Sequence, residues 1–130
     1  MLETVIFSID DGCELRERKR FLKYVDNLIA AGQISYCAQC VGMWLGVLEA
    51  SYMMKATEWE KYIKGSFYVG GQVCVLLVPA DVRQPCTFLY SNGDREVAGV
   101  MKEVEADKAL CCSGWTYVEE TQKYFILEGV

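Results

Sequence analysis

The side chains with chemical potential in this chain are its cysteines, a pair of aspartates, one glutamate inside an apolar run and a stripe of cations. The cysteines are Cys13, Cys37, Cys40, Cys74, Cys86, Cys111 and Cys112. Cys37-Ala38-Gln39-Cys40 has the spacing of a metal knuckle or a redox motif. Structural zinc needs four tetrahedral ligands, and the only local second pair is Cys111-Cys112, whose side chains diverge in extended chain. A thioredoxin-type motif sits at a helix N-terminus, whereas the residues around Cys37 are apolar and β-forming. Two cysteines in an apolar hairpin are the plainer reading, so no metal site and no cofactor are assigned.

Asp10-Asp11 follows an apolar, β-branched run. Carboxylates at a strand end hold Mg²⁺ in many phosphoryl-transfer enzymes, and they equally cap a following helix. The capping role suits the helical pattern that begins directly afterwards. Gly65, Gly70 and Gly71 precede a strand rather than a helix, which is the wrong order for a phosphate-cradling loop. The chain contains no histidine. That removes His-based triads, His zinc sites and His phosphotransfer. No catalytic residue is assigned, and an enzyme here would rely on carboxylates such as Glu49 or Asp10.

Two surfaces read as binding candidates. Arg16, Lys19, Arg20 and Lys23 form one basic face of a helix, suited to an acidic partner or the phosphates of a small nucleotide. The alternative is an ordinary solvated helix face. The second surface is the run Trp44-Leu45-Gly46-Val47-Leu48-Glu49-Ala50-Ser51-Tyr52. Strict alternation puts Glu49 and Ser51 on one strand face with Val47 and Met53, and Leu48 and Tyr52 on the other. A buried Glu49 would need a cationic partner; an edge-strand Glu49 would simply face water. Arg16, Arg20, Lys23, Trp44, Glu49, Ser51 and Tyr52 are the candidate binding residues.

The elements that position these groups follow from hydrophobic period. Thr4 to Ile9 alternates as a first strand. Glu14 to Ala31 repeats Leu15, Phe21, Leu22, Val25, Leu28 and Ile29 at helical spacing, and Gly32 stops it. Residues 35–44 and 47–54 read as a hairpin about Leu45-Gly46. Thr57-Glu58-Trp59-Glu60 has capping-box form and opens a short second helix. Val73 to Val78 reads as a buried central strand ended by Pro79. Cys86–Tyr90 and Glu96–Val104 flank Asn92-Gly93, whose preference for positive φ predicts a tight two-residue hairpin turn. Glu105 to Leu110 makes one helical turn. Trp115–Val118 and Lys123–Leu127 form a last hairpin. The order predicts an α+β domain spanning residues 1–130, with a mostly antiparallel sheet and two helices on one face. A ferredoxin-like core with added C-terminal hairpins fits that order.

Composition sets the class. The chain has 130 residues, 52% of them hydrophobic and 24% charged, the size and make-up of one folded domain. Its net charge of −5 argues against general nucleic-acid binding, which needs clustered cations over a long surface. No run approaches the roughly 20 apolar residues of a membrane-spanning helix. The N-terminal residues lack a secretory pattern, and an odd set of cysteines in apolar runs reads as free thiols of a reducing cytoplasm.

The pattern Gly42-x-Trp44-x-Gly46-x-x-Glu49-x-Ser51-Tyr52, then Gly71-Gln72 opening an apolar strand, then Gly114-Trp115-Thr116-Tyr117, resembles small accessory proteins of tailed bacteriophages. It spans about half the chain and carries no catalytic residue; the cysteines are not part of it. The resemblance implies a protein of the infected bacterial cytoplasm that binds and inhibits a host or defence factor. Sequestering a signalling nucleotide, in an oligomer, is the alternative it implies.

Overall fold

The computed structural model describes residues 2–8, 15–32, 35–44, 47–55, 74–118 and 121–129. The elements are β1 (Leu2–Ser8), α1 (Leu15–Ala30), β2 (Ser35–Trp44), β3 (Val47–Lys55), β4 (Cys74–Pro79), β5 (Cys86–Tyr90), β6 (Arg95–Val104), α2 (Ala106–Leu110), β7 (Trp115–Val118) and β8 (Lys123–Glu128). The expected α+β class holds, with a mostly antiparallel sheet. The helix expected after Thr57 lies outside the described residues.

The sheet does not stay open. Its strands run β1-β3-β2-β7-β8-β6-β5-β4, and β4 returns to pair with β1, closing a barrel of eight described strands. Every pairing is antiparallel. Closure removes the free edges that an open sheet of these hairpins would leave. The antiparallel sheet expected to carry two helices on one face is closed on itself and carries α1 on its outer face, the second of those helices lying outside the described residues.

Alternation along each strand divides two cores. Ile6 pairs with Met53 and Leu76, and these side chains meet Val78, Cys86, Phe88, Ala98, Met101 and Leu127 in the barrel interior. Val5 and Phe7 point the other way. With Met54, Val75 and Leu77 they make the outer floor on which Phe21, Val25 and Leu28 of α1 rest. These three helix residues are buried, which is the stripe that helical spacing predicts. Removing each from water contributes about 1.5–3 kcal/mol. Gly32, at φ 72°, ends the helix in the left-handed conformation, its N–H donating to the Ile29 carbonyl at 3.0 Å. On the far side of the barrel α2 packs on β8, burying Ala109 and bringing Lys108 Nζ to 3.9 Å from Glu128.

One turn differs from expectation. The β5–β6 connection is a three-residue loop, not a two-residue one. Tyr90 N–H donates to Asp94 O at 2.9 Å and Gly93 N–H to Tyr90 O at 2.9 Å. Gly93 has φ 93°, while Asn92 keeps a negative φ. This is a type I turn closed by a glycine bulge. Asn92 acts through its side chain, accepting from the Asp94 N–H at 2.9 Å and donating to the Asp94 carboxylate at 3.0 Å. A side-chain acceptor at that position stabilises the type I turn and removes the need for positive φ at Asn92.

Candidate binding face

The apolar stripe of α1 fixes which residues it offers to solvent. With Phe21, Val25 and Leu28 turned to the barrel, Lys19, Arg20, Lys23, Asp26 and Asn27 are exposed. Tyr24 stands beside them at 36% exposure. Arg16 lies on the same helix, with its side chain outside the described ones. The structure therefore brings Lys19, Arg20 and Lys23 together on a surface held rigidly by the core beneath. Ion pairs among the described residues lie elsewhere. Arg83 pairs with Asp81, Lys102 and Lys108 converge on Glu128, and Lys123 meets Glu103. The two nitrogens of Arg83 that reach Asp81 hold its carboxyl below the usual carboxylate range.

The hairpin that carries the second group of candidates is present, with Trp44 opposite Val47 and Gly42 opposite Glu49. β3 is paired with β2 from Val47 to Ser51 and with β1 from Ser51 to Lys55. Glu49 lies beyond the β1 pairing, with Gly42 of β2 as its described cross-strand partner. The side chains of Trp44 and Glu49 lie outside the described ones. Ser51 is buried at 2% exposure, opposite Ser8 and Cys40. Tyr52 is half-buried and stacks on Phe7 with ring centroids 5.6 Å apart, at the margin of the core under α1. Ser51 is thus closed off from solvent, and Tyr52 keeps part of its surface exposed beside the core. Alternation placed them on opposite strand faces correctly. It could not show that both faces are covered, one by the barrel and one by the helix.

The cysteines separate by environment. Cys37 and Cys40 are on β2, a strand and not a helix start, and Asp10 lies outside the described residues. Among the described residues no group of three or more Cys, Asp or Glu is placed to hold a metal ion. Cys86 is fully buried in the barrel. Burial pushes its thiol up from the ordinary value, partly offset by a hydrogen bond from the Met101 backbone. Cys111 is exposed at the end of α2, and the Cys112 thiol donates to the Lys108 carbonyl at 3.2 Å. Native alkylation read by mass spectrometry is expected to label Cys111 readily and leave Cys86 protected until the chain unfolds. The unfolded Cys86 ionises first as pH rises through the free-thiol value of about 8.5. The folded thiol holds its proton to higher pH, so Cys86 contributes stability below that point and loses it as pH climbs further.

The sequence reading did not single out an aromatic group on the outer face of β7 and β8. Tyr117 and Tyr124 are cross-strand partners with centroids 4.7 Å apart, and Trp115 lies 5.6 Å from Tyr124. Their positions in the last hairpin were visible; their shared face follows only from the observed register. Tyr90 donates from its hydroxyl to Glu96 at 2.8 Å across the β5–β6 hairpin, and that carboxylate raises the phenol above its usual value. Among the described residues no helix is long and apolar enough to cross a membrane. Compared with protein-family models and with curated proteins, the chain matches none.

Proposed function

We propose that this protein acts by direct, stoichiometric association with a partner protein, whose function it blocks, and that the exposed face of α1 is the contact surface. The observation that carries this reading is the set Lys19, Arg20 and Lys23. All three are exposed on a helix docked by three buried residues, and none joins an ion pair among the described residues. A rigid platform with cations left for an outside group is suited to recognition. The resemblance to phage accessory proteins supplies the partner class, a host or defence factor in the bacterial cytoplasm.

The scaffold in this reading is a ferredoxin-like unit extended by a β-meander. Its support is the order β4-β1-β3-β2, antiparallel throughout, with α1 following β1 and lying on the outer face. That is the strand order of a split β-α-β unit. The remaining strands then curl back to close the barrel.

The test is a tagged pull-down from bacterial lysate, run in parallel on the wild type and on Lys19→Glu/Arg20→Glu/Lys23→Glu. The wild type is expected to retain one partner at near-equal stoichiometry. The triple variant is expected to lose it by about tenfold or more, with its circular dichroism unchanged. Equal capture by both proteins removes the α1 face from the interface. Absence of any protein partner removes the association reading and shifts the weight to nucleotide sequestration.

A further inference from the structure

The cations of α1 gather in its first half. Its first nine residues hold Arg16, Arg18, Lys19, Arg20 and Lys23, with Glu17 the one acid among them. Asp26 lies in its second half, and no basic residue occupies the last turn. Aligned peptide dipoles make a helix N-terminal end positive, so cations stabilise a helix at its C-terminal end and acids at its N-terminal end. In the first turn of α1, Arg16 and Arg18 oppose that preference while Glu17 meets it. Like charges one turn apart, as in Lys19 with Lys23 and Arg16 with Arg20, add mutual repulsion.

The docking of α1 does not need this arrangement. Phe21, Val25 and Leu28 make the contact with the barrel, and acids at the exposed positions would leave that contact intact. The chain as a whole is negative, so the positive half of α1 is also not a by-product of a basic composition. Lys19, Arg20 and Lys23, exposed on an acidic chain and not used to dock the helix, point to use by something outside it.

Resting on the association reading, we infer that the first half of α1 receives a carboxylate-rich segment of the partner protein. The extent of the patch supports a compact protein segment over a nucleic acid. Nine helical residues span about 14 Å. Beyond that patch the exposed acids Asp81, Asp94, Glu96, Glu103, Glu105 and Asp107 are interleaved with Arg83, Arg95, Lys102, Lys108 and Lys123, and of these cations all but Arg95 are paired with carboxylates. A nucleic-acid strand derives its affinity from many phosphate contacts along its length, and among the described residues no second run of unpaired cations continues this one. A short acidic segment ends within the patch. The planar guanidinium of Arg20 pairs with a carboxylate in bidentate fashion, and Lys19 and Lys23 add point charges on either side.

The experiment uses the full chain and the same Lys19→Glu/Arg20→Glu/Lys23→Glu variant. Its probes are a short oligoglutamate peptide and a single-stranded RNA of equal net charge, each followed by fluorescence anisotropy, with thermal unfolding measured in parallel. The variant is expected to melt within about 2 °C of the wild type, because the three positions are exposed, lie beyond the first turn and are not among the residues that dock α1. The wild type is expected to bind oligoglutamate with an affinity that falls as salt is raised, and the variant to bind it about tenfold more weakly or not at all. A melting temperature lowered by several degrees would show that the cations serve the fold and would overturn the inference. So would RNA binding about tenfold tighter than oligoglutamate, which would assign the face to a nucleic acid. If neither probe binds while the lysate partner is still captured through the same residues, the acidic occupant is wrong and the association reading stands. If that capture fails too, both fall together.

Discussion

Gly99→Ala is expected to destabilise the protein by about 3 kcal/mol or more, because two separate penalties meet at one residue. Gly99 has φ 105°, a conformation that side-chain-bearing residues rarely adopt. A Cβ built there falls on the backbone carbonyl oxygen of Glu128 in β8, and its nearest neighbours are all Glu128 backbone atoms. Backbone of a bonded strand cannot swing aside as a flexible side chain can. Relief requires β6 and β8 to separate where Val100 pairs with Glu128. The site matters because the β5–β6 ladder shifts register between Cys86 and Thr87, with Gly99 opposite Cys86. The shift is a bulge. It turns Ala98 and Met101, which differ by an odd number of residues, toward the same interior cluster. Gly93→Ala is the matched control. Gly93 has φ 93° but open space where its Cβ would lie, so it meets only the conformational penalty, about 1–2 kcal/mol. Urea unfolding of both variants reads the difference as the cost of the Glu128 clash. Equal losses would show that β8 yields at that position.

Gly99 also marks where the sequence stopped being legible. The helix α1, the hairpin of β2 and β3, and the strands β4 to β8 follow from periodicity and turn residues, because these are local signals. Barrel closure is not local. It depends on β2 meeting β7 and on β1 meeting β4, pairings between segments far apart in the chain. Their turns carry no trace of those contacts. The bulge at Gly99 is similarly silent, since a lone glycine inside a strand pattern fits a bulge or a close approach equally well. Here it is both. The candidate site divides along the same line. Exposure of Lys19, Arg20 and Lys23 follows from which face of α1 is apolar, a question the helix answers by itself. The fates of Ser51 and Tyr52 depend on what covers each face of β3. One cover is the far wall of a barrel and the other is a helix, and neither is written in residues 47–55. Two residues in one short strand are therefore covered by different neighbours, Ser51 fully and Tyr52 in part.

Phe7→Ala is expected to lower stability by about 3–5 kcal/mol, a large share of the roughly 5–15 kcal/mol that holds a domain folded. Phe7 is 1% exposed at the junction of β1, β3 and α1. Its ring stacks on Tyr52 with an interplanar angle of 26° and belongs to the cluster formed by Phe21, Val25 and Leu28. Truncation removes the largest side chain on that floor and leaves a void that neighbours on two paired strands and a helix cannot all close. Phe7→Leu keeps most of the volume and is expected to cost about 1–2 kcal/mol. The pair separates packing from recognition. At a temperature where Phe7→Leu remains folded, its α1 cations keep their places, so capture of a partner should match the wild type. Phe7→Ala should lose capture only in step with its loss of helix by circular dichroism. Loss of binding by the folded Phe7→Leu protein would mean that the partner reads the seating of α1 on β1 and β3, and that the cationic face alone is insufficient. Full binding by a Phe7→Ala protein whose α1 has melted would place the interface elsewhere on the barrel.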